Sequence, residues 1–421
     1  MKTRPIASNR KCTGSTMIVV MGMTLLGTLA AGSIISSVLS RLNQGDKQVC
    51  LEQAFYIASA GAERAATFVA AGNDTSTTLN GTLGAGSYVS AIVATPGAGG
   101  EYNIDVTSVG TVKGVSRTVT MQGLRRVSWA RYALWYDSEA VTLWMGAGEH
   151  FGGRVYAKPQ LRFNNKDLAT KGQTHFSDQT WSGKSSIVKD PGTDPIFEKG
   201  LTLNATLETM ASVDFPSLLT AATSAGLVLE GPTTMELDGT TMKITNTRKG
   251  WANKVVAIPA NGTVYVKTAT SGADTKTGDI NVSGPLGLGS RLTLVSDHNI
   301  NIVNHVRYKT NPQTDPTSTD ALGLIAKHDV VVQSAAPSNL DIYAHIICQT
   351  GGFGVLNYTT GSPKGNLNVY GGIVNFIRNP VGQIGVSGYS KNYIFDVRFT
   401  TTPPPNYPTV TDELEWTGWD G

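Results

Sequence analysis

Six histidines occur in this chain of 421 residues, and four of them (His298, His305, His328 and His345) fall in one stretch. His298 and His328 hold equivalent positions in an internal repeat, so adjacent turns of the chain would bring them close enough to share a metal. No Cys/His spacing of a known zinc site accompanies them, and both stand where a turn needs a polar residue. The expectation is no metal and no cofactor. Asp297, Asp329 and Asp341, with Lys327, could be read as the facing carboxylates and base of a polysaccharide-cleaving enzyme. Their spacing is equally that of strand-end turns. Asp190 precedes Pro191 and reads as a turn residue. No Gly-x-Ser-x-Gly, phosphate loop or zinc-binding helix motif occurs, so the chain is expected not to be an enzyme. Three cysteines (Cys12, Cys50 and Cys348) make no disulfide framework, and pairing of the last two stays open.

The elements that would carry these residues are mainly strands. Charged residues are only 15% and Gly numbers 47, a mix that favours strands and tight turns. The net charge of +3 is modest and spread along the chain, so nucleic acid is not an implied partner. Leu292–Ile302 aligns without gaps on Leu322–Val332, offset by 30 residues, and Asn339–Ile347 aligns on Asn366–Val374, offset by 27. These offsets lie in the range of stacked repeats. Short strands of period two broken by small turns suit coils of a parallel β-helix, with Gly262–Val266 and Gly278–Val282 as earlier coils. Inward Leu, Ile and Val would stack into one core that needs neither helices nor disulfides. Trp129, Trp135 and Trp144 before this region, and Trp416 and Trp419 after it, are expected to cap its ends, with ligand binding as the other reading. Asn80-Gly81-Thr82 and Asn261-Gly262-Thr263 read as turns. From Ser87 to Arg126 three alternating segments (88–93, 102–107 and 115–121), with Pro96–Gly100 as a turn, predict a small antiparallel sheet.

At the N-terminus, Lys2, Arg4, Arg10 and Lys11 precede an uncharged run that ends only at Arg41, about 29 residues long against the roughly 20 that cross a bilayer. Basic residues ahead of the run keep that end in the cytoplasm. A cleaved secretory signal, a plain anchor and a pilin-type leader all begin this way. The apolar core is long for a secretory signal, although Leu29-Ala30-Ala31-Gly32 is a faint match. Arg10-Lys11-Cys12-Thr13-Gly14 places a Gly in a basic context just before the run, so a pilin-type peptidase would cut between Gly14 and Ser15. From Ser40 to Ala71 the helix continues, with Leu39, Leu42, Val49, Phe55, Tyr56, Ala60 and Ala66 on one face and Arg41, Lys47, Glu52, Glu63 and Arg64 on the other. The fold class is therefore α+β: residues 1–14 a leader, 15–75 the transmembrane and amphipathic helix, 76–130 a small sheet, and 131–421 a large mainly-β domain of parallel β-helix or solenoid type.

The segment Leu51–Ala65 (LEQAFYIASAGAERA) resembles the "A-x-x-A-A-E-A-G-x-E-R-A" stretch of PilX-type minor pilins, with Ile57 and Ser59 departing from it. K-type pseudopilins of general secretion carry a similar segment. The resemblance covers about the first 75 residues. It implies a type IV pilus-associated subunit with prepilin peptidase and other pilin or pseudopilin subunits as partners. Such a subunit sits in the bacterial inner membrane and displays its soluble part in the periplasm or outside the cell. Major pilins carry a Glu at the fifth mature position, which here is Val19, so the resemblance implies a tip or priming place rather than the repeating shaft. The segments Phe151–Ala157, Gly388–Asp396 and Pro403–Pro408 with Trp416 resemble an uncharacterised β-solenoid domain found behind PilX-like N-termini. That likeness implies an extracellular, pilus-associated role and no catalytic residues; the solenoid would serve adhesion, assembly priming or surface contact, with a cell-surface or polysaccharide ligand among the expected partners. The alternative is a membrane-anchored β-helix enzyme acting on polysaccharide.

Overall fold

The computed structural model describes residues 14–96, 102–206, 213–270, 277–383 and 385–421. The expected leader up to Thr13 and the turn at 97–100 lie outside them. Two compact units form. The first comprises residues up to Ala94, Ile104–Leu124 and Trp416–Gly421, and the second Thr95–Asn103 and Arg125–Glu415.

In the first unit one helix, α1, runs unbroken over Gly14–Ala70. Beneath its last turns lie the antiparallel strands β1 (Thr77–Leu83), β2 (Gly86–Pro96), β3 (Tyr102–Val112) and β4 (Val115–Ser128), hydrogen-bonded in that order. The strand Gly418–Asp420 also pairs with β4, Trp419 facing Met121. The packed face of α1 is not the one the large residues suggest. Cys50, Ala54, Ile57, Ala58, Ala62, Ala65 and Val69 are buried, whereas Leu39, Leu42, Val49 and Tyr56 are exposed. Small residues win because the sheet approaches to backbone contact. A Cβ on Gly110 of β3 would lie 2.1 Å from the Ala54 carbonyl oxygen, and one on Gly61 would lie 2.4 Å from Ser108 Oγ. Asn80-Gly81-Thr82 falls inside β1 rather than in a turn. The Tyr88 ring covers Gly81, where a Cβ would stand 2.3 Å from the phenol oxygen.

The second unit is mainly β, with parallel strands. The first repeat is a direct cross-strand register: Leu292 faces Leu322 and Leu294 faces Leu324, and Ile300 faces Val330. So is the second, with Leu340 opposite Leu367 and Ile347 opposite Val374. Tyr132–Glu139 stacks on the end of the 16-residue strand Pro363–Arg378, Leu134 facing Ile373, and Arg154–Ala157 stacks on it in turn. Two apolar ladders therefore run through the same strands. Val264, Leu294, Leu324, Ile346, Ile373, Leu134 and Val155 belong to one core. Their neighbours Tyr265, Val295, Ile325, Ile347, Val374, Trp135 and Tyr156 belong to a second core on the opposite face.

Strands apolar on both faces need cover on both. On the second face that cover comes from the helix Phe215–Ala225 and from Phe399, Tyr407 and Val410 near the chain's end. The expectation of a domain without helices is thus corrected. Asp214 caps this helix by accepting from the Ser217 N–H at 3.1 Å, and Pro216 stands in its first turn. The tryptophan expectation is corrected too. Trp129 and Trp135 are buried in the second core, edge to face at 5.5 Å, while Trp416 and Trp419 are exposed and belong to the first unit.

His345 fixes the terminal cover. Its Nε2–H donates to the Tyr132 carbonyl at 3.0 Å, so its Nδ1 must accept the 2.7 Å bond from the Tyr407 hydroxyl. Burial pushes its pKa down to about 3.

Candidate functional site

One candidate lies in the upper half of α1. From Met17 to Val49 the helix is exposed on every side, its Met, Ile, Leu and Val side chains included. At ~1.5 Å per residue, Gly14–Ser40 is about 40 Å long, more than the ~30 Å apolar thickness of a bilayer. By length and composition this helix could cross a membrane. Three of its polar side chains bond to their own helix: Thr24 to Val20 O at 3.0 Å, Thr28 to Leu25 O at 2.9 Å and Ser33 to Ala30 O at 2.8 Å. Hydrocarbon offers no other partner. Gly14 opens the helix, with Ser15 next in the same turn.

The lower half gives the Leu51–Ala65 segment a physical meaning. Ala54, Ala58, Gly61, Ala62 and Ala65 are the packing stripe, and Glu52, Glu63 and Arg64 point to solvent. The alanines serve the fold of the first unit.

The second candidate was not visible in the sequence. Within the second unit a cavity of about 240 Å³ is lined by residues from two distant stretches, 134–171 and 353–393. They meet because Tyr132–Glu139 pairs with Pro363–Arg378. Glu149 accepts from Lys391 Nζ at 2.7 Å and from the Gly146 N–H at 2.8 Å, both through Oε1. Lys391 also donates to the Trp144 carbonyl at 3.1 Å. Glu149 Oε2 is buried with no hydrogen-bond partner. Arg378 lies over the Tyr136 ring at 5.1 Å. Its guanidinium is 3.8 Å from Glu139, which Arg162 holds at 2.9 Å.

Burial dominates the electrostatics here. It lowers the Lys391 pKa despite Glu149 beside it, and raises that of Glu139 against the pull of Arg378 and Arg162. It also pushes Tyr136 and Tyr389 up to about 12. Asn164, Asn375 and Asn379 also line the cavity, as does partly exposed Trp144.

The residues singled out from sequence have other work. His298 and His328 do stack, edge to face at 5.0 Å, and His298 Nδ1 lies 2.6 Å from Asp279. Burial opposes the Asp279 charge, but bonds from Thr277, His298 and the Asn299 N–H outweigh it and lower its pKa. Among the described residues no group of three His, Cys, Asp or Glu side chains could hold a metal. Asp297 binds the Tyr265 hydroxyl and the Thr268 N–H. Asp329 receives the Gly352 N–H at 2.8 Å. Asp341 pairs with Arg307 at 2.6 Å and accepts from Asn368 at 2.8 Å. Each carboxylate is thus engaged by its own partners. Lys327 is exposed in a turn. Asp190 begins the turn closed by the Thr193 N–H. Cys50 and Cys348 are free and buried, in different units, and burial raises the Cys348 pKa.

No protein-family model matches the chain, and no curated protein matches it. Among solved structures, the competence-associated pilin ComZ from Thermus thermophilus is similar at 10% identity, over 88% of this chain and 97% of that one, with a TM-score of 0.32. At that score the likeness carries no argument.

Proposed function

We propose that the chain is a pilin-like structural subunit of a type IV pilus or related filament, a minor pilin rather than an enzyme. Residues 1–14 are a leader that prepilin peptidase removes between Gly14 and Ser15. Helix α1 then holds the subunit in the bacterial inner membrane with its N-terminus cytoplasmic, and later packs against other pilin or pseudopilin subunits. Val19, where major pilins carry a Glu, suits a tip or priming place. The 131–421 region is read as a β-solenoid displayed in the periplasm or outside the cell for adhesion or surface contact. The observation that supports this most is the division of α1: a lipid-length half exposed on all sides, continuous with a half whose small residues fit under an antiparallel sheet.

The test is Gly14→Leu. The variant should keep its leader, remain in the inner membrane and be missing from sheared filaments, while the unaltered chain is recovered in them. Recovery of both chains from filaments in equal amount would reject the reading.

A further inference from the structure

Glu149 and Lys391 form a charge pair whose hydrogen bonds leave one atom out. Lys391 Nζ donates to Glu149 Oε1 at 2.7 Å and to the Trp144 carbonyl at 3.1 Å. Oε1 also accepts from the Gly146 N–H at 2.8 Å. Oε2 is buried and accepts from no donor among the described residues. A buried carboxylate oxygen in that state has lost its water and gained nothing in return.

Joining the two side chains removes that cost. An amide between Lys391 Nζ and Glu149 Cδ retains one N–H and one carbonyl oxygen. Both positions already have partners, the nitrogen at the Trp144 carbonyl and Oε1 at the Gly146 N–H. The oxygen that must leave is the unpartnered Oε2. The product is neutral, so the penalty of holding an ammonium and a carboxylate away from water also disappears.

The surroundings favour the reaction. Burial, helped by the nearby Arg378 charge, lowers the Lys391 pKa against the pull of Glu149. That raises the share of free amine, the nucleophilic form. The strand Ser387–Ile394 carries Lys391, and Glu149 directly precedes the strand His150–Phe151. Secondary structure thus holds nitrogen and carboxyl at hydrogen-bond distance, and such positioning supplies much of what a condensation needs. Both residues line the cavity of about 240 Å³, which has room for the water released.

We propose that Lys391 and Glu149 condense into an intramolecular isopeptide bond. A proton first passes from the ammonium to the carboxylate along their hydrogen bond. The Nζ lone pair then forms the bond to Cδ, and the Cδ–Oε2 bond breaks with its electron pair. Oε2 departs as water, carrying two protons that began on Nζ. No oxidant or second substrate is consumed. The link closes a loop between positions 242 apart in sequence and so restricts the unfolded chain. It lies wholly in the second unit, so it stands or falls separately from assembly into a filament.

The test uses the full chain purified from cells in detergent, then denatured, digested with trypsin and read by tandem mass spectrometry. Trypsin does not cut after an acylated lysine. Tyr132–Arg154 should therefore be recovered joined to Asn379–Arg398, uncut at Lys391 and lighter than the two peptides together by one water. Fragment ions should place the junction at Glu149 and Lys391. Lys391→Arg, which keeps the positive charge but not the amine, should give both stretches unlinked with the circular-dichroism spectrum unchanged. The proposal is overturned if the unaltered chain yields only separate Tyr132–Arg154 and Asn379–Lys391. A junction at Asp137 or Glu139, or a link that persists in Lys391→Arg, overturns it equally.

Discussion

In the first unit a helix meets a sheet through Ala54, Ala58 and Ala62, with Gly110 opposite. In the second, Leu294, Leu324, Ile346 and Ile373 stack strand upon strand, and Val295, Ile325, Ile347 and Val374 do the same on the other face. The first arrangement depends on the absence of side-chain atoms at a few points. The second depends on the same kind of side chain recurring at many. A close approach of backbones is sensitive to one added methyl, whereas a ladder of large residues spreads the loss of one methyl among its neighbours.

Adding and removing one carbon should separate the two. Gly110→Ala puts a Cβ against backbone atoms of Ala54 and Ala58, which cannot swing aside. It should cost about 3 kcal/mol and appear as lost hydrogen-exchange protection along residues 50–70, the second unit staying protected.

Acid should act on the second unit instead. His345 is neutral in the folded chain with a pKa lowered to about 3, while unfolded histidine titrates near ~6.5. Between those values the unfolded chain binds the extra proton, so stability is full above about pH 6.5 and falls by about 1.4 kcal/mol per unit as pH drops toward 3. Unfolding at pH 7 and pH 5 should therefore differ by about 2 kcal/mol from this group, and His345→Gln should reduce that difference.

Ile346→Val removes one methylene-sized group from the ladder and should cost only about 1 kcal/mol in denaturant unfolding. A loss as large as that at Gly110 would break the contrast. Glu63→Gln, on the exposed face of α1, should change stability by less than about 0.5 kcal/mol. Any effect it has should appear in filament recovery.

The same contrast explains what could be read in advance. Parallel in-register stacking places residues of one type opposite each other, so the repeats at offsets of 30 and 27 were the pairing registers themselves. The stacked His298 and His328 follow from the same offset. The second face was less visible, although unbroken apolar runs such as Leu322–Ala326 signal strands buried on both sides, and Asp214 with Pro216 is a helix-start signal. In α1 the large residues drew attention to the wrong face, because close packing selects for the smallest side chains. The cavity left no spacing signal. Glu149 and Lys391 are 242 positions apart in sequence, and only the pairing of Tyr132–Glu139 with Pro363–Arg378 unites their neighbourhoods.

The stem's role can be read most directly from the N-terminal mass of the chain recovered from cells. A chain beginning at Ser15 with a methylated amine, found with membranes or filaments, is the predicted result. An intact Met1, or a cut near Ala31 that releases the rest from the membrane, would contradict it.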